Sequence, residues 1–190
     1  RCFLYFLQNN QKKLLTNLNA VFLTLFVLVL IIFKTTSEAI IPSVFSGWDI
    51  LLPVVIYLGQ RRSVWEGLLL LLFNGHLYSL NSSAPIGMFV LYYLVFFFFA
   101  QGVAYILYAQ TPFTVMCLIF LVSLLSRFLL PLCAQGFDQS VSFFSTANWS
   151  FWSLILNTML GFFVYLFLGF LDRVTLKVPP RNITLGDSSL

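Results

Sequence analysis

Charge is what this sequence has least of. Only 8% of its 190 residues are charged, against about a quarter in an ordinary soluble domain. With 60% hydrophobic residues and a mean hydropathy of +0.95, a water-soluble fold has no means of covering the apolar surface, so a soluble enzyme or binding domain is excluded. Cysteine and histidine are scarce as well. Cys2, Cys117 and Cys133 lack metal-ligand spacing and read as packing or surface thiols. The lone His76 has no second His, Cys or carboxylate at helical spacing, so no metal site is expected. GxSxG, HExxH and a phosphate-binding glycine loop are all missing, as is an acidic cluster able to hold Mg²⁺. No catalytic residue and no cofactor is therefore expected, and the chain reads as a non-enzyme. Its net charge of +4 and pI near 9.1 come from basic residues scattered singly and in pairs between apolar runs. That pattern suits orientation in a bilayer and does not make nucleic acid a partner.

What is present is a series of apolar runs about 20 residues long, each sufficient to cross a ~30 Å hydrocarbon core. The first, Leu14 to Phe33, follows Lys12 and Lys13; it is too long for a cleavable signal and lacks a small-residue cleavage site. A polar, Pro-containing loop is expected from Lys34 to Ser46. The second run, Trp48 to Gly59, is short for a span at ~18 Å. Ser46-Gly-Trp-Asp49 opens it as a capping box with Asp in place of Glu, and Gln60-Arg61-Arg62 follows it. Ser63-Val-Trp-Glu66 repeats the box and starts a third run to Leu80, which makes the two an antiparallel hairpin. The fourth run is Met88 to Tyr108. Thr111-Pro112 opens the fifth, to Ala134, and Phe151 to Leu171 is the sixth. The expected fold is all-α, a polytopic bundle of six transmembrane helices over residues 1–173 with a polar cytoplasmic tail at 174–190.

Six spans would place both termini on one side, and the basic residues choose that side. Arg1, Lys12, Lys13, Arg61, Arg62, Arg173, Lys177 and Arg181 fall in one set of segments, Lys34 alone in the other, and Arg127 within a span. By the positive-inside rule both termini are expected in the cytoplasm.

Several residues stand out against this background. Arg127, Asn74 and His76 are polar groups inside apolar runs. An ionisable residue in a span is a functional candidate, although Arg127, ~22 Å up its helix, could also snorkel to the outer interface or take an internal partner. Of the acids on that side, Asp49 and Asp138 are the expected partners. Asp49 and Glu66, with Ser46 and Ser63, are explained as helix caps, and the topology puts the two carboxylates at opposite faces, too far apart for shared acid–base work. Ala100 with Ala104, and Gly161 with Gly169, mark close-approach faces that suit either internal packing or a partner's helix. The turn at Arg61 and Arg62 is the next candidate surface. Asn81, Asn148 and Asn182 each begin a glycosylation sequon, a pattern that arises often by chance.

The stretch Trp48-Asp49-Ile50-Leu51-Leu52-Pro53-Val54-Val55-Ile56-Tyr57-Leu58-Gly59-Gln60-Arg61-Arg62 is followed by His76-Leu77-Tyr78-Ser79 and Pro85-Ile86-Gly87, and the last run ends Leu171-Asp172-Arg173. This order of features resembles the bacterial rod shape-determining MreD family, in which an Asp usually stands where His76 does. The resemblance implies a multi-pass protein of the bacterial inner (cytoplasmic) membrane and a non-enzymatic scaffold of the cell-elongation machinery. Such a protein binds the transmembrane helix of an MreC-like bitopic partner and helps link MreB filaments to peptidoglycan synthesis by RodA and a penicillin-binding transpeptidase. The alternative from another class is the substrate-binding membrane component of an energy-coupling vitamin or metal transporter. Its docking helix usually carries small-xxx-small pairs, whereas Thr16 to Phe33 offers only Ala20.

Overall fold

A backbone surrounded by hydrocarbon must satisfy its N–H and C=O groups within itself, so long apolar runs become helices. A computed structural model describes residues 2–40, 48–82, 85, 87–106, 112–137, 151–175 and 177. Among these residues there are six helices and no strand. They are α1 (Cys2–Ile40), α2 (Leu51–Arg61), α3 (Val64–Leu80), α4 (Met88–Ile106), α5 (Pro112–Phe137) and α6 (Phe151–Val174). Four contain stretches long and apolar enough to cross a membrane: Leu18–Ser37 of α1, Met88–Tyr105 of α4, and the whole of α5 and α6. The chain is a membrane protein.

Two bounds differ from the sequence expectation in an instructive way. The loop expected from Lys34 is helical through Ile40, because no Gly or Pro interrupts the chain before Pro42. Thr35 and Thr36 return their hydroxyls to the Ile32 carbonyl, and Lys34 is held by the hydroxyl and ring of Tyr78. At 39 residues, α1 is ~58 Å long and outreaches any hydrocarbon core. The second helix starts at Leu51, three residues after Trp48, and runs on through Arg61. Before α4 the chain turns at Gly87, whose φ of +92° is open to glycine.

The architecture is a ring around an axle. α1 packs on α3, α3 on α4, α4 on α5, α5 on α6, and α6 back on α1, while α2 touches all five. Every residue from Leu51 to Gln60 is buried, as expected of a helix that is apolar all round. Where helices come closest, glycine makes room. A Cβ on Gly59 would lie 2.8 Å from Ala100 Cβ and 2.9 Å from the Phe97 carbonyl oxygen, and one on Gly161 would lie 2.7 Å from Pro53 Cγ. Large apolar side chains such as Phe22, Val29, Phe98, Phe120, Phe163 and Phe170 face outward, the pattern of a lipid-facing surface.

Candidate functional site

With the outside apolar, the polar side chains are gathered within the bundle, at its two ends. At the first end, three side chains converge on the carboxylate of Asp172. Arg62 Nη2 donates to Asp172 Oδ1 at 2.5 Å and to Asn19 Oδ1 at 2.6 Å, and Asn19 Nδ2 donates to the same carboxylate oxygen at 2.9 Å. Tyr57 donates its hydroxyl to Asp172 Oδ2, and Asn19 Nδ2 also reaches Thr175 Oγ1 at 2.5 Å. The Arg62 side chain is 0% exposed. A charge taken wholly out of water is tolerable only when its partners are numerous and include opposite charge, and here α1, α3 and α6 each supply one, Asn19, Glu66 and Asp172. Glu66 extends the cluster, lying 3.4 Å from Arg62 Nη1 and 2.8 Å from Lys177 Nζ. Beside it, Tyr165 donates to Gln60 Oε1 at 2.7 Å, and its hydroxyl also meets Arg61.

The second cluster occupies the opposite end. Asp49 Oδ1 accepts from the Leu51 amide at 3.2 Å and from the Tyr93 hydroxyl at 2.8 Å. Arg127 is buried and donates to Ser153 Oγ across the α5–α6 contact, with the Asp49 carboxylate near enough for its charge to act on it. One turn deeper, Asn157 Nδ2 donates to Ser123 Oγ at 3.1 Å. Between the clusters lies an apolar layer that includes Pro53, Ile119 and Gly161.

The expected site residues are distributed as follows. Arg62 and Arg61 do not act as one exposed turn: Arg62 is buried in the Asp172 cluster, and Arg61 is half-buried. Ser63 caps α3, its Oγ accepting from the Glu66 amide at 3.4 Å, while Glu66 spends its carboxylate on Arg62 and Lys177. Asp49 precedes α2, whose N-cap position is Ile50, so it is not the third residue of a capping box; it accepts from the Leu51 amide from outside the helix, and Ser46 lies outside the described residues. Asp49 and Glu66 sit at opposite ends of the bundle. Arg127 is turned inward rather than out to the interface, because Ser153 and the field of Asp49 hold it there. Asp138 lies outside the described residues.

Asn74 is buried and bonds its own helix at the Leu70 carbonyl, whereas His76, one position past Gly75, is exposed on the outer side of α3. Ala100 is fully buried against Gly59, and Gly161 against Pro53 and Ile119, so both faces pack within the bundle. A leucine at Gly161 would therefore strike the bundle itself and cannot report on a partner. Ala104 is half-buried, and a Cβ on Gly169 would meet nothing within 4 Å. Asn19, Tyr57 and Asp172 belong to a polar cluster that the sequence alone does not single out as a site. Asn19 and Asp172 do carry a signal, since an uncapped polar residue at the edge of an apolar run is costly unless something pairs with it.

Between α4 and α5 the outer surface opens into a groove of about 240 Å³, lined by Val95, Phe96 and Phe99 on one side and by Leu125, Phe128 and Leu132 on the other. Its walls are apolar throughout, so it offers shape and no chemistry. Among the described residues, no group of three or more His, Cys, Asp or Glu side chains is placed to hold a metal ion. No family model, curated protein or solved structure matches this chain.

Proposed function

We propose that this chain is a non-enzymatic membrane scaffold that holds a partner's transmembrane helix against its own bundle. The observation that carries the reading is the direction of the polar groups. The ion pairs and polar hydrogen bonds described above are committed to partners inside the bundle, while the surface facing the bilayer, His76 on α3 excepted, is predominantly apolar and grooved. Association in lipid depends on close packing, and the α4–α5 groove and the open flank at Gly169 are where a foreign helix can approach the backbone. The resemblance of residues 48–94 to the MreD family supplies the rest. The partner is an MreC-like bitopic protein, and the assembly links MreB filaments to RodA and a penicillin-binding transpeptidase in the bacterial inner membrane.

Filling the groove tests this. Leu125→Trp and Leu132→Trp should reduce co-purification of an MreC-like partner about tenfold, as one lost anchor of ~1.4 kcal/mol would, while helix content and melting temperature stay at the parent values. Gly169→Leu serves as the second site. If all three variants retain the partner, it docks on another face; if an ATPase pair co-purifies in its place, the scaffold reading fails and the transporter reading takes its place.

In this reading all six helices span, and the end holding Asn19, Arg62 and Asp172 is cytoplasmic. The distribution of basic residues supports that orientation. A phosphatase reporter fused after Leu190 should be silent and a cytoplasmic fluorescent reporter active there, with the opposite pattern for fusions at residues 81–87. Phosphatase activity at the C-terminus would reverse the orientation.

A further inference from the structure

We propose that Arg61, backed by Gln60 and Tyr165, binds the phosphate of an anionic phospholipid at the edge of the bundle. At the Asp172 end the charges do not all cancel within the bundle. Asp172 is taken up by Arg62, Asn19 and Tyr57, and Glu66 by Arg62 and Lys177. Among the described residues, Arg61 is left with the hydroxyl of Tyr165, which carries no negative charge, and feels Asp172 only through its field.

Donors are in excess here. The guanidinium brings five N–H groups and the Gln60 amide two. Tyr165 has already given its proton to Gln60 Oε1, and Gln60 Nε2 is buried with no hydrogen-bond partner among the described residues. A half-buried guanidinium with a surplus of donors behind it calls for a multivalent oxyanion, and the planar fork of arginine matches phosphate in two parallel hydrogen bonds.

Position selects the lipid as the source of that phosphate. Trp65, four residues further along and 79% exposed, is the amphipathic ring expected at headgroup level. Asn19 lies five residues after Leu14, where the first apolar run begins behind Lys12 and Lys13, so the cluster sits within the end turns of that run. Arg173, exposed on α6 next to Asp172, adds a second cation at the same end. Anionic headgroups are concentrated at this level, and a basic residue there gains ~1 kcal/mol from them.

The test uses the full chain in mixed micelles containing equimolar phosphatidylglycerol and phosphatidylcholine, with retained lipid counted by mass spectrometry. Wild type should retain phosphatidylglycerol preferentially, and Arg61→Gln should lower that preference about fivefold, with Arg173→Gln having a smaller effect. Raised ionic strength should weaken retention by wild type, a measurement that stands even if R61Q does not fold. Equal retention of the two lipids by wild type, or an unchanged preference in folded R61Q, overturns the proposal. So does displacement by inorganic phosphate in modest excess, which would make this a free-phosphate site. Displacement by polyglutamate as readily as by lipid would assign it to an acidic protein segment instead.

Discussion

Arg62→Met should destabilise the bundle by roughly 3–5 kcal/mol, the cost of leaving a buried charge without its partner. Asp172 would keep Asn19 and Tyr57 as neutral donors and lose its only cation within ion-pair distance among the described residues. Glu66 would keep Lys177, so the loss falls on the inner carboxylate. The double variant Arg62→Met/Asp172→Leu removes both charges and should recover most of the stability, because a well-packed apolar pair often replaces a buried ion pair at little cost. Unfolding by a denaturing detergent, followed by circular dichroism, measures both. A single variant that unfolds with wild type, or a double variant no better than the single, would show that the pair does not hold the bundle as described.

Gly59→Val should be comparably severe. Its Cβ would lie 2.9 Å from the Phe97 carbonyl oxygen and 2.8 Å from Ala100 Cβ, and a backbone oxygen cannot swing aside as a flexible side chain can. Overpacking usually costs ~1–3 kcal/mol. The value here should reach the upper end of that range, because α2 is enclosed on every side and has nowhere to move. Gly161→Leu meets the ring of Pro53 and should follow closely. Gly169→Leu and Gly102→Ala are the controls, with nothing within 4 Å of either Cβ and an expected change inside ~0.5 kcal/mol. Thermal melts in detergent decide the matter, and a Gly59→Val protein that melts with the controls refutes the packing described for α2 and α4.

Sequence and structure agree where the physics is local. The long apolar runs, the proline that opens α5 and the serine that caps α3 depend on neighbours a few residues away, and each is readable in the chain. The helical continuation of α1 past Lys34 is legible only in part: no Gly or Pro stands before Pro42, but the anchoring of Lys34 depends on Tyr78 of another helix. The polar clusters are not legible, for Asn19 and Asp172, partners of Arg62, lie 43 and 110 residues away. Sequence singles out Ala100 and Gly161 as small but is silent on what faces them. The answer lies in Gly59 and Pro53, both on the one helix too short to draw attention. Arg127 is conspicuous in an apolar run, yet its acceptor Ser153 looks ordinary.

The enclosed axle bears on how the protein is made. With Asp49 before it and Arg61 and Arg62 at its end, the 11-residue α2 is too short and too polar at both ends to enter lipid and settle there by itself. Its main neighbours come from α4 and α6, so it leaves the ribosome long before they exist. Arg62 finds its carboxylate only when residue 172 has been synthesised. Biogenesis is thus obliged to keep the second segment provisional, shielded by α1 or by the insertion machinery, until the last helix arrives and closes the ring around it.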